Sequence, residues 1–208
     1  MDIKTIENKI ENTIIIDKSR FITYLFPCDS KENANDLLNE LRNIHKEATH
    51  VCYAYIIEED NVLLYKSSDD GEPSQTAGAP ILNVIKKNGL CNIICAVVRY
   101  FGGIKLGAGG LVRAYSSSAA EAVNKASIVT LVEAFKHELI FPYERISVLD
   151  KFFDVNNVEI IDKKYEMEVS YTIITYDKEQ IINMKKKIEY LNVRFVDLGV
   201  ITTRKKIQ

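Results

Sequence analysis

Ile93-Ile-Cys-Ala-Val-Val-Arg99-Tyr-Phe-Gly-Gly-Ile-Lys-Leu-Gly-Ala-Gly-Gly-Leu-Val-Arg113-Ala-Tyr115 is the stretch on which the fold of this chain turns. Its first six residues form an apolar run that reads as a buried strand. The small residues from Leu111 to Lys125 read as a helix. Between them, Gly102 to Gly110 hold five of the chain's nine glycines. A strand, a glycine loop and a helix start in series aim unpaired backbone N–H groups at one point. Arg99, Lys105 and Arg113 flank that point and favour an anion there. The sequence therefore predicts an anion site made of Arg99, Gly102, Gly103, Lys105, Gly107, Gly109, Gly110 and Arg113. The same glycines also permit positive φ and close backbone packing. Ala114, Ser117, Ser118, Ala119 and Ala122 suit a helix lying close on a sheet. No Gly-Lys-Ser/Thr follows the glycines, so the loop is not a P-loop.

Outward from this stretch the N-terminal part is mixed. Thr13 to Ile16 and Arg20 to Phe26 read as strands. Asp29-Ser-Lys-Glu32 reads as a helix start, after which Ala34, Leu37, Leu38, Leu41 and Ile44 recur at helical spacing. Val51 to Ile57, apolar on both faces, reads as a central strand. It pairs with Val62 to Lys66 across a turn at Glu58 to Asn61. Ser67 to Ala77 reads as a polar loop. A helix then opens near Pro80 and stops at Gly89. Beyond Val129 the order is strand, helix, strand, strand, helix, strand, as in a ferredoxin-like βαββαβ unit. Its hairpin is expected to turn at Asp162-Lys163-Lys164. Its second helix is expected to bury Ile181, Met184, Ile188 and Leu191. The predicted domains are 1–127 and 128–208.

Composition sets the class. Of 208 residues, 47% are apolar and 27% charged, with net charge −2, so the chain is not a general polycation. The start Met1-Asp-Ile-Lys-Thr-Ile-Glu7 has no long apolar segment, and no run approaches a membrane span. The expectation is a cytoplasmic chain with no membrane partner. Cys28, Cys52, Cys91 and Cys95 offer only one close pair, so buried reduced thiols, no metal and no cofactor are expected.

Four motifs stand in order: Ala48-Thr-His-Val-Cys-Tyr-Ala54, Ser68-Asp-Asp-Gly-Glu-Pro-Ser74, Thr76-Ala-Gly78, and Arg99-Tyr-Phe-Gly-Gly103 followed by Leu106-Gly107. Together they resemble the IMPACT family, in its bacterial branch. The resemblance implies an N-terminal two-layer α/β domain of the kind seen in a small-subunit ribosomal protein, followed by a ferredoxin-like domain. That tandem is similar to adjacent domains of translation elongation factor G. It also implies that eukaryotic relatives regulate translation by competing for the activator of a starvation-sensing kinase. It carries over no catalytic residue.

The remaining candidates are read from their own chemistry. Asp69, Asp70 and Glu72 place three carboxylates within four residues, enough for Mg²⁺ or acid–base work. The same residues build ordinary turns and cap backbone N–H groups. If this loop folds against Arg99 and Arg113, the opposite charges cancel. His50 and Cys52 share a strand face, yet no orienting group for a nucleophile is evident. His137 reads as a hydrogen-bonded core histidine, and His45 as a cation closing a helix. Tyr100 and Phe101 fall on opposite strand faces, which frees one of them to stack on a base. Asp69, Asp70, Glu72, Tyr100 and His50 are thus supporting positions around the anion site. Three functions stay open: a non-enzymatic translation-associated module binding RNA or the ribosome, a regulator that binds a protein, and an enzyme acting on a phosphorylated or nucleotide ligand.

Overall fold

The computed structural model describes residues 3–60 and 62–206. Two compact units are present, the first running to Thr130 and the second from Leu131 to Arg204.

In the first unit a five-stranded sheet has the order β2-β3-β6-β4-β5, with every pair antiparallel. The strands are β2 (Ile10–Ile16), β3 (Ser19–Pro27), β4 (His50–Glu59), β5 (Val62–Ser68) and β6 (Ile93–Tyr100). A short β1 (Ile3–Ile6) bridges from Lys4 to Leu90. The central strand is β6 rather than the Val51 to Ile57 run. That run lies one place further out, between β6 and β5. Both strands are buried on both faces, so an apolar run alone marks an interior strand without ranking it.

One face of this sheet packs α2 (Gly78–Lys87) and α3 (Gly107–Lys125) around Phe21, Leu25, Cys52, Ile81 and Tyr115. The other packs α1 (Lys31–Ile44) through Ala34, Leu38 and Leu41 against Tyr53, Tyr55 and Val98. The α1 cap is Ser30, whose hydroxyl accepts from the Asn33 N–H at 3.1 Å. Ile44, expected on the buried stripe, is exposed at the last turn. His45 closes the helix through its backbone N–H. Its ring lies between the phenols of Tyr24 (2.8 Å) and Tyr100 (2.9 Å), and burial lowers its pKa. The cation of the last turn is therefore Arg42, not His45.

The second unit is ferredoxin-like. Its strands are β7 (Ile128–Phe141), β8 (Glu159–Tyr165), β9 (Val169–Thr175) and β10 (Arg194–Lys206), in the order β10-β7-β9-β8. Helices α4 (Ile146–Val155) and α5 (Lys178–Ile188) bury Leu149, Phe153, Ile181, Met184 and Ile188 against Leu139, Phe141, Tyr171 and Ile173. Leu191 is buried just beyond α5.

Two local expectations are corrected here. The hairpin turns at Glu166 to Glu168, so Asp162, Lys163 and Lys164 lie inside β8 and Met167 is fully exposed. An edge strand accepts charge readily, and Lys163 pairs with Asp150 at 2.8 Å. His137 is buried, but neither ring nitrogen has a hydrogen-bond partner among the described residues. Asp197 stands 3.9 Å from its Nδ1, and burial lowers the imidazole pKa.

Candidate functional site

Three of the four motif segments of the first unit meet at one carboxylate. Glu72 sits in the loop between β5 and α2 and is buried. Its Oε1 accepts from Arg99 Nη1 at 2.5 Å and from the Tyr115 hydroxyl at 2.8 Å. His50 Nε2 stands 3.8 Å from the same oxygen, while its Nδ1 donates to the Asp70 carbonyl at 2.7 Å. The Cys52 thiol donates to the Asp69 carbonyl at 2.9 Å and to the Tyr115 oxygen at 3.3 Å. Arg99 comes from the end of β6, His50 and Cys52 from β4, and Tyr115 from the third turn of α3.

This arrangement changes the role of Arg99. Only 5% of it is exposed, and its guanidinium already serves Glu72 and, at 3.4 Å, the Ser19 hydroxyl. Ser19 Oγ in turn accepts from the Gly102 N–H at 3.2 Å. An arginine committed to a buried carboxylate is unavailable to a phosphate outside. It belongs to the scaffold beneath the predicted site. The risk visible in the sequence, that the acidic loop neutralises an arginine, is realised at Arg99. Among the described residues Arg113 has no ion pair and is exposed.

Asp69 and Asp70 are committed as well. The Asp69 carboxylate accepts the backbone N–H groups of Gln75 (2.8 Å), Ala77 (2.9 Å) and Gly78 (2.8 Å), so it caps the start of α2. Asp70 accepts from Val51 N–H at 2.7 Å and lies 3.7 Å from Arg42. Both act as turn and cap residues. Burial pushes the Asp69 carboxyl up, but the three N–H donations outweigh it and leave the pKa lowered. A carboxyl depressed in the folded state adds stability that is complete above its unfolded value of ~4. That stability is lost as pH falls through the folded value. Asp69→Ala is expected to cost about 1–2 kcal/mol at neutral pH, by analogy with a lost helix cap. The gap between the variant and the native chain should therefore narrow as the pH falls below the ordinary carboxylate range. Denaturant unfolding across a series from neutral to acid pH checks this; a gap that does not narrow on acidification would refute it.

The glycines divide by position. The helix begins at Gly107, four residues before the expected Leu111, so Gly107, Gly109 and Gly110 form its first turn rather than a loop. The chain enters through Gly107 with φ +69. No side chain caps this end and no acidic residue lies in its first turn. Lys105, Gly107, Gly109 and Arg113 are exposed there, with Phe101, Ile104 and Val112. Gly102 instead packs against the Lys18 and Ser19 backbone, and Gly103 turns the chain with φ +85. Of the two aromatics, Tyr100 is half-buried under Arg20 and bonded to His45, while Phe101 is exposed.

The four cysteines are free and buried. Burial pushes the Cys52 and Cys95 thiols up to about 12 and the Cys28 thiol to about 11. A Cys52 held as a neutral thiol is a poor nucleophile. No helix among the described residues is long and apolar enough to cross a membrane.

Comparison with known proteins gives a consistent picture. The Impact N-terminal domain matches residues 17–123. The chain is 34% identical over 152 residues to the IMPACT family member YigZ of Escherichia coli, covering 73% of this chain and 74% of that one. It is 46% identical over 125 residues to the IMPACT family member YvyE of Bacillus subtilis, spanning 60% of this chain and 57% of the relative's length. The crystal structure of a hypothetical protein superposes with TM-score 0.62 at 27% identity, covering 95% of this chain and 98% of that one.

Proposed function

The chain belongs to the IMPACT family, and on that premise we propose that it is a non-enzymatic, translation-associated regulator. It contacts RNA or the ribosome through the exposed start of α3. One observation carries this reading. The first turn of α3 is uncapped and free of acidic residues, and Lys105 and Arg113 beside it are exposed without ion-pair partners among the described residues. Orphan N–H groups and two unpaired cations attract phosphate oxygens. The exposed Phe101 ring offers a surface for an unstacked base. Arg99, Glu72, Tyr115, His50 and Cys52 hold that surface in place from below. The buried, pKa-raised thiol and the internally satisfied carboxylates favour binding over catalysis.

The test is RNA affinity as a function of salt. Lys105→Ala with Arg113→Ala should weaken binding to single-stranded RNA and flatten log affinity against log salt by roughly 0.7 per lost contact. Both side chains are exposed, so the melting temperature should stay within a degree or two of the native value. Native protein that binds RNA no better than a neutral control would contradict the reading. It would favour the alternative, a regulator that binds a protein, which is the role the family resemblance implies for eukaryotic relatives.

A further inference from the structure

The edge of the first sheet formed by β5 is unusual in what it lacks. β5 (Val62–Ser68) pairs with β4 on one side only, in continuous register from Glu59↔Val62 to Tyr53↔Ser68. Among the described residues its outer side receives no backbone hydrogen bond. Open strand edges are usually guarded by charge, proline or a bulge, because unpaired N–H and C=O groups recruit another strand. The edge strand β8 of the second unit shows this protection, with a register shift between Ile160 and Asp162 and three consecutive charged residues, Asp162 to Lys164. β5 reads Val-Leu-Leu-Tyr-Lys-Ser-Ser, with no bulge, no proline and one charge. Yet it exposes Val62 by 57%, Leu63 by 45% and Tyr65 by 49%.

The charges at the two ends of β5 differ in sign. Glu58, Glu59 and Asp60 precede it. Lys66 stands near its other end, where Lys86 of α2 lies 4.5 Å over the Tyr65 ring, followed by Lys87. A strand carrying acid at its start and base at its end is complementary to its own antiparallel copy. We propose that β5 is a self-association edge, pairing antiparallel with β5 of a second copy about a two-fold axis. A register centred on Leu64 sets Leu63 opposite Tyr65 of the partner subunit, in both directions. It sets Lys66 opposite Val62 of the partner subunit, next to the acidic turn. Such an interface is isologous, so each charge contact occurs twice. Cross-strand apolar and opposite-charge pairs of this kind stabilise an antiparallel pair.

The test is sedimentation of the full chain over a range of concentrations, with three variants. Native protein is expected to show reversible monomer–dimer exchange. Tyr65→Lys should shift the midpoint at least tenfold toward monomer, and its unchanged melting temperature would show that it still folds. Lys66→Glu alone and Glu59→Lys alone should each do the same, because both copies of the contact become repulsive; Glu59 also pairs with the exposed Lys31 of its own chain at 3.4 Å, so Glu59→Lys too must keep its melting temperature. Mixing the two single variants should restore dimer, since one contact is then native and the other is reversed in sign. A native chain that stays monomeric at every concentration overturns the proposal. So does a dimer indifferent to these changes, or a mixture that remains monomeric. Binding of an acidic extended peptide to a monomeric chain would assign the edge to a different occupant and overturn it equally.

Discussion

Arg99→Ala is expected to lower the unfolding free energy by about 3–5 kcal/mol, the range for breaking one side of a buried ion pair. The guanidinium and Glu72 are both buried at 2.5 Å, and the same Glu72 oxygen also receives the Tyr115 hydroxyl. Removing Arg99 leaves a buried carboxylate with one phenol and a nearby imidazole. Glu72→Ala should cost a similar amount, because the arginine is then the unpaired charge. The double variant should fall well short of the sum of the two, since the residues act on each other. Denaturant unfolding of the three variants reads this directly. If Arg99→Ala keeps full stability and loses only RNA affinity, Arg99 is a surface ligand and the buried pair is not what holds the loop.

Gly102→Ala is the second large effect. An added Cβ there would collide with the Lys18 carbonyl and the Ser19 nitrogen, which are backbone atoms with no rotamer to change. The β2–β3 turn that supplies them is itself tight, with Asp17 at φ 45 and Lys18 at φ 63. The expected loss is about 3 kcal/mol or more, at the upper end of overpacking costs. Gly103→Ala is the control. Its φ is +85, but a Cβ there meets nothing within 4 Å, so the cost should be only about 1–2 kcal/mol from the left-handed backbone. Equal stability of the two variants would show that the loop moves away from Lys18 without penalty.

These two positions also mark how far the sequence could be read. The strand read at Ile93 to Val98, the α5 stripe and the βαββαβ order are legible because burial writes its pattern into the chain. Ile181, Met184, Ile188 and Leu191 recur at helical spacing and all are buried. Gly107 to Gly110 misled for the opposite reason. Glycine disfavours helix, so the start of α3 looked like a loop until tertiary packing of Leu111, Ala114 and Tyr115 drew the helix back to Gly107. The turn after β8 was misplaced because its charges suited an edge strand as well as a turn. The site divided in the same way. Lys105 and Arg113 stand out by local pattern alone, and both are exposed. The Glu72–Arg99 pair joins residues 27 positions apart, and no local period encodes it. The sequence raised it only as a charge conflict, and Tyr115 as a partner of Glu72 carried no signal at all.

The proposed phosphate contact is the start of α3 and not the buried Arg99. The most direct measurement is a titration of isotope-labelled protein with single-stranded RNA at low salt, followed through backbone amide and arginine side-chain signals. Shifts are expected at Phe101, Lys105 and Gly107 to Gly110, with the Arg113 side chain moving and the Arg99 side chain still, all reversed by added salt. Saturable RNA binding that moves Arg99 while leaving Gly107 to Gly110 and Arg113 unchanged would contradict it.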